Sequence, residues 1–259
     1  MCYTVAYLNK RKVKYAERAG ANAEEIRELE RQLEDLTAAE PGQYHISGFT
    51  HPQLLCFTRK NGPRLDLFRW GLIPPWVKDA AQAAKLSRQT LNARGETIFD
   101  KPAFRHAAAC QRCLVLVDGF FEFHHVGKVS IPFHIKLRNE EPMALGGLYE
   151  HWTDPGGQRI TSVSLVTTRA NTTMARIHNK PGEAGPRMPF IVPRELDNDW
   201  LAPADNDNDK ARVEALIRPF PEDELDTYPV PPLLGKRAIG NMPEAVKPHY
   251  WPELQTELF

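Results

Sequence analysis

Residues 113–150 read CLVLVDGFFEFHHVGKVSIPFHIKLRNEEPMALGGLYE, and the organisation of this stretch decides the fold. It opens on an apolar run, 113–117, whose length suits a strand better than a helix. Asp118-Gly119 ends that run, and two further strand-like runs, 131–137 and 143–149, follow with turns between them. Working outward, the same kind of run recurs upstream at 53–58 and 65–70 and downstream at 160–167. Tyr3 begins another, 3–8, that would pin the amino terminus to the body. Strands separated by turns, with few helices between them, predict a largely antiparallel α+β protein rather than a parallel βαβ fold.

Helical signals are fewer. Asn22 with Glu25 three residues later forms a capping pair, and Ile26, Leu29, Leu33 and Leu36 recur at helical spacing, so 22–37 is expected to be an amphipathic surface helix. A Pro-Gly turn at 41 and 42 would end it. The stretch 71–112 is expected to be irregular or partly helical, broken at Pro74, Pro75 and Pro102. Residues 178–189 read as a loop returning to strand at 190–192, residues 205–209 as an acidic loop, and 210–216 as a short helix. From Pro219 the proline-rich chain is expected to wrap the body as an extended tail. No internal repeat or long low-complexity linker interrupts the sequence, so residues 1–259 are expected to form one domain.

The chain has 259 residues, 42% of them hydrophobic and 25% charged, which is the balance of a globular protein. No apolar stretch is long enough to span a membrane, and no basic segment leads into an apolar one at the amino terminus. Four cysteines, Cys2, Cys56, Cys110 and Cys113, are too few to staple such a chain and fit a reducing, cytoplasmic setting. Net charge is zero, yet residues 59–112 hold eleven Lys or Arg against four Asp or Glu. Such a local basic face can dock phosphates in one place; it is equally the pattern of an unevenly charged, solvated surface.

Five places carry possible chemistry. If Met1 is removed, Cys2 presents an α-amine and a thiol on one residue, a pair able to form an imine with an aldehyde and close it through sulfur to a thiazolidine; otherwise it is merely the second residue. Glu122 stands among Phe120, Phe121 and Phe123, where apolar rings favour proton transfer by a carboxylate, though surface glutamates beside aromatics are common. Asn92 and Arg94 alternate on an extended segment and therefore point the same way, an amide beside a guanidinium, or they belong to an ordinary turn. His178 is a candidate acid or base or a structural histidine. Trp70, Pro74 and Trp76 form either a rigid base-stacking platform or loop packing. Cys110 and Cys113 have the two-residue gap of zinc ligands, but no second pair completes a site, and no metal is expected.

Taken in order, Met1-Cys2, the Trp70–Trp76 block with Lys78-Asp79, the block 92–97, the block 112–123, and His178 with Arg187-Met188-Pro189 resemble the SRAP family, the SOS response-associated peptidase-like proteins that crosslink to abasic sites in single-stranded DNA. The likeness spans roughly residues 1–192. It implies a barrel-like core with peripheral helices, Cys2 as nucleophile, Asn92 orienting the amine or sugar oxygen, Glu122 shuttling protons, and His178 assisting ring opening and reversal. It also implies removal of Met1 by the protein itself and some abasic-site lyase activity. DNA contact falls to Arg94, Arg69, Lys78 and Arg187 and to Trp70, Pro74 and Trp76. Single-stranded DNA bearing abasic sites is the implied partner, with no cofactor, no metal and no membrane, and the protein is expected to act as a monomer.

This sequence departs from the family pattern in four places, one of them the helix at 22–37, a surface insertion longer than the common form requires. Tyr3-Thr4 replaces Gly-Arg, Phe121 and Phe123 replace Tyr and Trp, and extra residues separate His178 from Arg187. Two other classes of function stay in view: an amino-terminal-cysteine peptidase or amidase using its own amine as base, and a noncatalytic single-strand binding module.

Overall fold

The structure is a computed structural model that describes residues 2–7, 12–37, 43–180, 182 and 185–257. The chain begins with β1 (Thr4–Tyr7), α1 (Lys12–Ala19), α2 (Ala23–Thr37), β2 (Gln43–Ser47), β3 (Gln53–Thr58) and β4 (Arg64–Trp70). It continues through α3 (Ala80–Gln89), β5 (Asn92–Arg94), α4 (Arg105–Cys110), β6 (Arg112–Val117), β7 (Gly119–Val126), β8 (Val129–Leu137), β9 (Met143–Thr153) and β10 (Arg159–Arg169). The last part holds α5 (Thr172–Ile177), β11 (Arg187–Pro189), α6 (Asp197–Leu201), α7 (Asp207–Leu216) and β12 (Leu225–Pro229).

The apolar run at 113–117 lies in β6, which is buried along its whole length. Its two faces serve two cores. Cys113, Val115 and Val117 point inward with Leu54, Cys56, Phe68, Trp70, Leu145, Tyr149, Val163 and Leu165, while Leu114 and Leu116 point outward among Leu55, Phe57, Ala144, Leu148 and Trp200. The inner set fills a closed barrel in which β10, β4, β3, β6 and β9 neighbour one another in that order and β9 pairs back to β10. Closure leaves this five-strand circuit without an unpaired edge. Its pairings are antiparallel except β4 with β10, which is parallel; short β5 also lies parallel to β10, and β11 antiparallel to it. This is an α+β fold of mostly antiparallel strands with a barrel-like core and peripheral helices.

A second sheet, ordered β12-β8-β7-β1-β2, is antiparallel throughout. The chain crosses from barrel to sheet at Asp118-Gly119. Asp118 N donates to Ala6 O at 2.7 Å, and its carboxylate accepts from the Tyr15 hydroxyl of α1. At Gly119 a Cβ would stand 2.5 Å from both Ile135 O and His134 Nε2, so only glycine lets β7 approach β8 there.

Helix α2 forms as its caps require. Asn22 Oδ1 accepts from Glu24 N and Glu25 N, and Glu25 Oε2 accepts in return from Ala21 N at 2.9 Å. Leu29 and Leu33 are fully buried against the outer barrel face, with Ile26 and Leu36 packed beside them. The turn expected at 41 and 42, like Leu8 and Met1, lies outside the described residues. The 71–112 stretch, expected to be irregular or partly helical, holds two helices, α4 and α3, the latter started by Asp79 accepting from Gln82 N at 2.7 Å. Three further expectations are corrected. The strand expected at 190–192 is β11, three residues earlier. Helix α7 begins within the expected acidic loop, capped by Asn206. The tail contributes β12 to the second sheet, paired with β8.

Candidate active site

Cys2, Asn92, Glu122 and His178 come together where the second sheet meets the barrel. Pairing of β1 with β7 places Val5 opposite Phe120, which brings the residue before β1 toward Glu122. Cys2 is completely buried in the barrel-side core, and its thiol points to Thr4 O at 3.7 Å. Asn92 Nδ2 donates to the Cys2 carbonyl at 2.8 Å, positioned by β5 pairing with Leu165 and Thr167 of β10. The other amide atom, Asn92 Oδ1, is buried and makes no hydrogen bond among the described residues. It is an acceptor aimed beside Cys2 with a free valence.

Glu122 is 6% exposed on β7, and its carboxylate accepts from Phe123 N at 3.1 Å. His178 ends α5, a helix started by Asn171 accepting from Met174 N. Its Nδ1 stands 3.7 Å from Glu122 Oε2 and 3.3 Å from both the amide nitrogen and the carbonyl oxygen of Arg187. The extra residues between His178 and Arg187 in the sequence do not part the two. Burial, reinforced by the Glu122 charge, pushes the Cys2 thiol up to about 12. Sulfur is held protonated at neutral pH.

The basic candidates divide into two kinds. Arg187 is 4% exposed, and its guanidinium is spent on protein: two bonds to Glu96, at 3.1 and 2.7 Å, and two to Thr167, at 3.2 Å to Oγ1 and 2.8 Å to the carbonyl. It clamps β11 to the turn after β5. Arg94 is exposed, and neither it nor Lys78 has an acidic side-chain partner among the described residues. Arg69 is half-buried, its Nη1 has no hydrogen-bond partner there, and desolvation holds its guanidinium below the usual range. Thr4, standing where the family carries arginine, is buried.

The aromatic block is divided as well. Trp70 is fully buried, donating from Nε1 to Leu91 O at 2.8 Å, and Pro74 is buried too. Neither offers a face for stacking, because β4 turns Trp70 into the barrel. Of the three, Trp76 alone, 49% exposed, presents an open face. The sequence reading missed a second aromatic surface: Phe49 is exposed, its ring centroid 5.0 Å from that of Tyr3, next to Cys2 in the chain. No local pattern marks Phe49. It was also silent on Glu96, although that residue lies inside the 92–97 block.

Cys110 and Cys113 do not share a site. Cys113 faces the barrel interior, whereas Cys110 ends α4 on the surface side. Among the described residues no group of three or more His, Cys, Asp or Glu is arranged to hold a metal ion. A cleft of about 940 Å³ lies elsewhere, lined by Arg18, Leu137, Ile191 and Phe220, and none of the candidate site residues lines it.

Known proteins resemble this chain in sequence and in fold. Abasic site processing protein YoqW of Bacillus subtilis (strain 168) is 35% identical over 80% of this chain and 88% of its own. Abasic site processing protein YoaM of the same organism is 36% identical over 66% and 70%. The rat protein named abasic site processing protein HMCES is 28% identical over 70% of this chain, which spans 55% of that relative. A solved structure from Bacteroides thetaiotaomicron, 30% identical, superposes with a TM-score of 0.82 over 96% of this chain and all of that one. One from Bordetella bronchiseptica, 22% identical, shares the fold with a TM-score of 0.67, covering 88% of this chain and 99% of its own. The profile of SOS response associated peptidase proteins matches residues 1–237, and with it the chain belongs to the SRAP family.

Proposed function

We propose that this chain is an enzyme that processes abasic sites in single-stranded DNA, Cys2 joining the ring-opened deoxyribose aldehyde as a thiazolidine once Met1 has been removed. The observation that carries the reading is the convergence on Cys2 of an amide, a carboxylate and an imidazole: Asn92 at 2.8 Å from its carbonyl, and Glu122 beside it with His178 at 3.7 Å. The relatives named as abasic site processing proteins support the substrate.

The chemistry balances as a condensation. The α-amine of Cys2 adds to the C1′ aldehyde, the carbinolamine loses water to give an imine, and sulfur adds to the imine carbon while its proton passes to nitrogen. Glu122 relays the protons. His178, held through Nδ1 by Arg187 and Glu122, assists opening of the sugar ring. Asn92 orients the amino-terminal residue through its carbonyl, and its unoccupied Oδ1 accepts from the amine or a sugar hydroxyl. The same imine permits β-elimination of the 3′ phosphate, which accounts for a lyase side reaction. Hydrolysis of the Met1–Cys2 bond is the self-processing step.

Phosphates flanking the site fall to Arg94, Arg69 and Lys78, whose charges no acidic side chain neutralises among the described residues. Trp76 and the Tyr3–Phe49 pair supply faces for neighbouring bases. Arg187 works indirectly, holding β11 and the backbone on which His178 rests.

Processed protein, its loss of Met1 established by intact mass, is mixed with single-stranded DNA made abasic by a uracil glycosylase. A denaturation-resistant adduct is expected, and none from Cys2→Ala. The same adduct from Cys2→Ala would overturn the proposal. Glu122→Gln keeps the shape and loses the proton relay, so adduct formation should slow by roughly 100-fold; an unchanged rate would remove that role.

A further inference from the structure

Helix α4 places His106 and Cys110 four residues apart, on one face and one above the other. Cys110 Sγ lies 3.6 Å from His106 Nε2, and His106 Nδ1 lies 2.7 Å from Glu150 Oε1 on β9. Glu150 is only 2% exposed. Its second oxygen accepts from Gln111 Nε2 at 2.5 Å, and Gln111 also binds Tyr149 O at 3.0 Å. The carboxylate is therefore fixed from two sides and can hold the imidazole with its proton on Nδ1. That tautomer leaves Nε2 as an acceptor facing the thiol. Nucleophile, base and orienting group stand in the order that thiol activation requires.

Access differs from that of the other three cysteines. The His106 side chain is 61% exposed and Cys110 is half-buried, whereas Cys2, Cys56 and Cys113 are all buried. Cys110 thus has no resolving thiol at the surface, and a disulfide formed there with a small molecule would persist. Charged neighbours are mixed: Arg112 of β6 sits close to Cys110, with Asp205, Asp209 and Arg212 around that guanidinium, and Lys60 faces Glu150.

We propose that Cys110 is a second reactive thiol, activated by His106 and positioned by Glu150, that accepts a low-molecular-weight disulfide as a mixed disulfide. His106 Nε2 takes the thiol proton, and the Cys110 sulfur attacks one sulfur of the disulfide. The S–S bond breaks, and the leaving sulfur departs as a thiolate that recovers the proton from His106. Cys110 is oxidised and the departing sulfur reduced, so the disulfide is the only co-reactant. This site is separate from Cys2 and independent of the function proposed there.

The test uses the full folded chain near neutral pH, treated with iodoacetamide or with oxidised glutathione and mapped by peptide mass. Cys110 should react at least about tenfold faster than the same cysteine in the urea-unfolded chain, with Cys2, Cys56 and Cys113 protected. His106→Gln, at an exposed side chain that the fold tolerates, should bring the Cys110 rate down to the unfolded value. A native rate no higher than the unfolded one, or a rate unaltered by His106→Gln, would overturn the proposal. The positioning role of Glu150 has its own readout. Nitrogen NMR should find His106 protonated on Nδ1 in the parent protein and redistributed toward Nε2 in Glu150→Gln; a parent already protonated on Nε2 contradicts it.

Discussion

Replacing Arg187 by Met separates structural from DNA-binding roles among the arginines. The guanidinium is buried and makes four hydrogen bonds, two to Glu96 and two to Thr167. The Glu96 carboxylate is 45% exposed, so once abandoned it rehydrates, and that half of the loss is discounted to about 0–1 kcal/mol. The Thr167 half is enclosed, and loss of a charged donor to a buried carbonyl costs about 1.5–3 kcal/mol. Methionine recovers part of the apolar contact, leaving a net loss of roughly 2–3 kcal/mol. Urea unfolding followed by fluorescence should show the midpoint fall with an unchanged m value. Arg94→Ala should behave in the opposite way: stability within about 0.5 kcal/mol of the parent, and the slope of log K against log salt for single-stranded DNA reduced by about 0.7. If Arg187→Met unfolds at the parent midpoint while lowering the salt slope, the assignment of that guanidinium to Glu96 and Thr167 is refuted.

Three further outcomes follow from the geometry. The Cys2 thiol keeps its proton up to about pH 12 when folded but loses it near pH ~9 in the unfolded chain. Its stabilising contribution is complete below that lower value and disappears as pH rises through the window, at up to about 1.4 kcal/mol per pH unit; Cys2→Ala should flatten the decline of urea midpoints between pH ~9 and ~11, and parallel curves would contradict the burial. Gly119→Ala should destabilise by about 1–3 kcal/mol in the same assay, since its Cβ would meet the Ile135 carbonyl at 2.5 Å, and a neutral result would show that β7 and β8 separate easily. Asn22→Ala should cost about 1 kcal/mol by removing the acceptor for Glu24 N and Glu25 N, with no effect on adduct rate.

What the sequence made legible depended on how locally each feature is encoded. Strand 53–58 was readable to the residue, and 113–117 nearly so, because both are apolar runs bounded by turn residues. Strands β5 and β11 have three residues each, too few for a period, and exist because β10 offers them a partner. Helix α3 is dominated by alanine and lacks a strong apolar stripe, although Asp79 at its start is a usable signal. Order along the chain brought Cys2, Asn92, Glu122 and His178 under suspicion. What it could not encode was direction: Trp70 and Trp76 look alike in sequence, yet one turns into the barrel and the other outward. The pairing of Arg187 with Glu96 spans 91 residues and has no local trace.

The protonation state of Cys2 fixes the order of events in the proposed reaction. Burial pushes the thiol up to about 12 in the chain that carries Met1, and the same burial disfavours thiolate once Met1 is removed, so sulfur is the poorer first nucleophile and the α-amine opens the attack. Imine formation alters the local charge, because a protonated imine places a cation beside Glu122 and the sulfur. Such a cation favours thiolate over thiol, the reverse of the Glu122 effect in the free protein. Burial thus delays the sulfur until the nitrogen has captured the aldehyde, and capture itself then releases the sulfur for ring closure. An aldehyde analogue on single-stranded DNA, trapped by borohydride before closure, reads this order directly. Reduced amine linkage at the Cys2 nitrogen, with the thiol still free to alkylation after unfolding, is the expected product. Formation of the thiazolidine with no nitrogen-linked amine trapped at any time, only the alcohol left by reduction of the aldehyde, would mean that the imine does not come first and that sulfur attacks despite its burial.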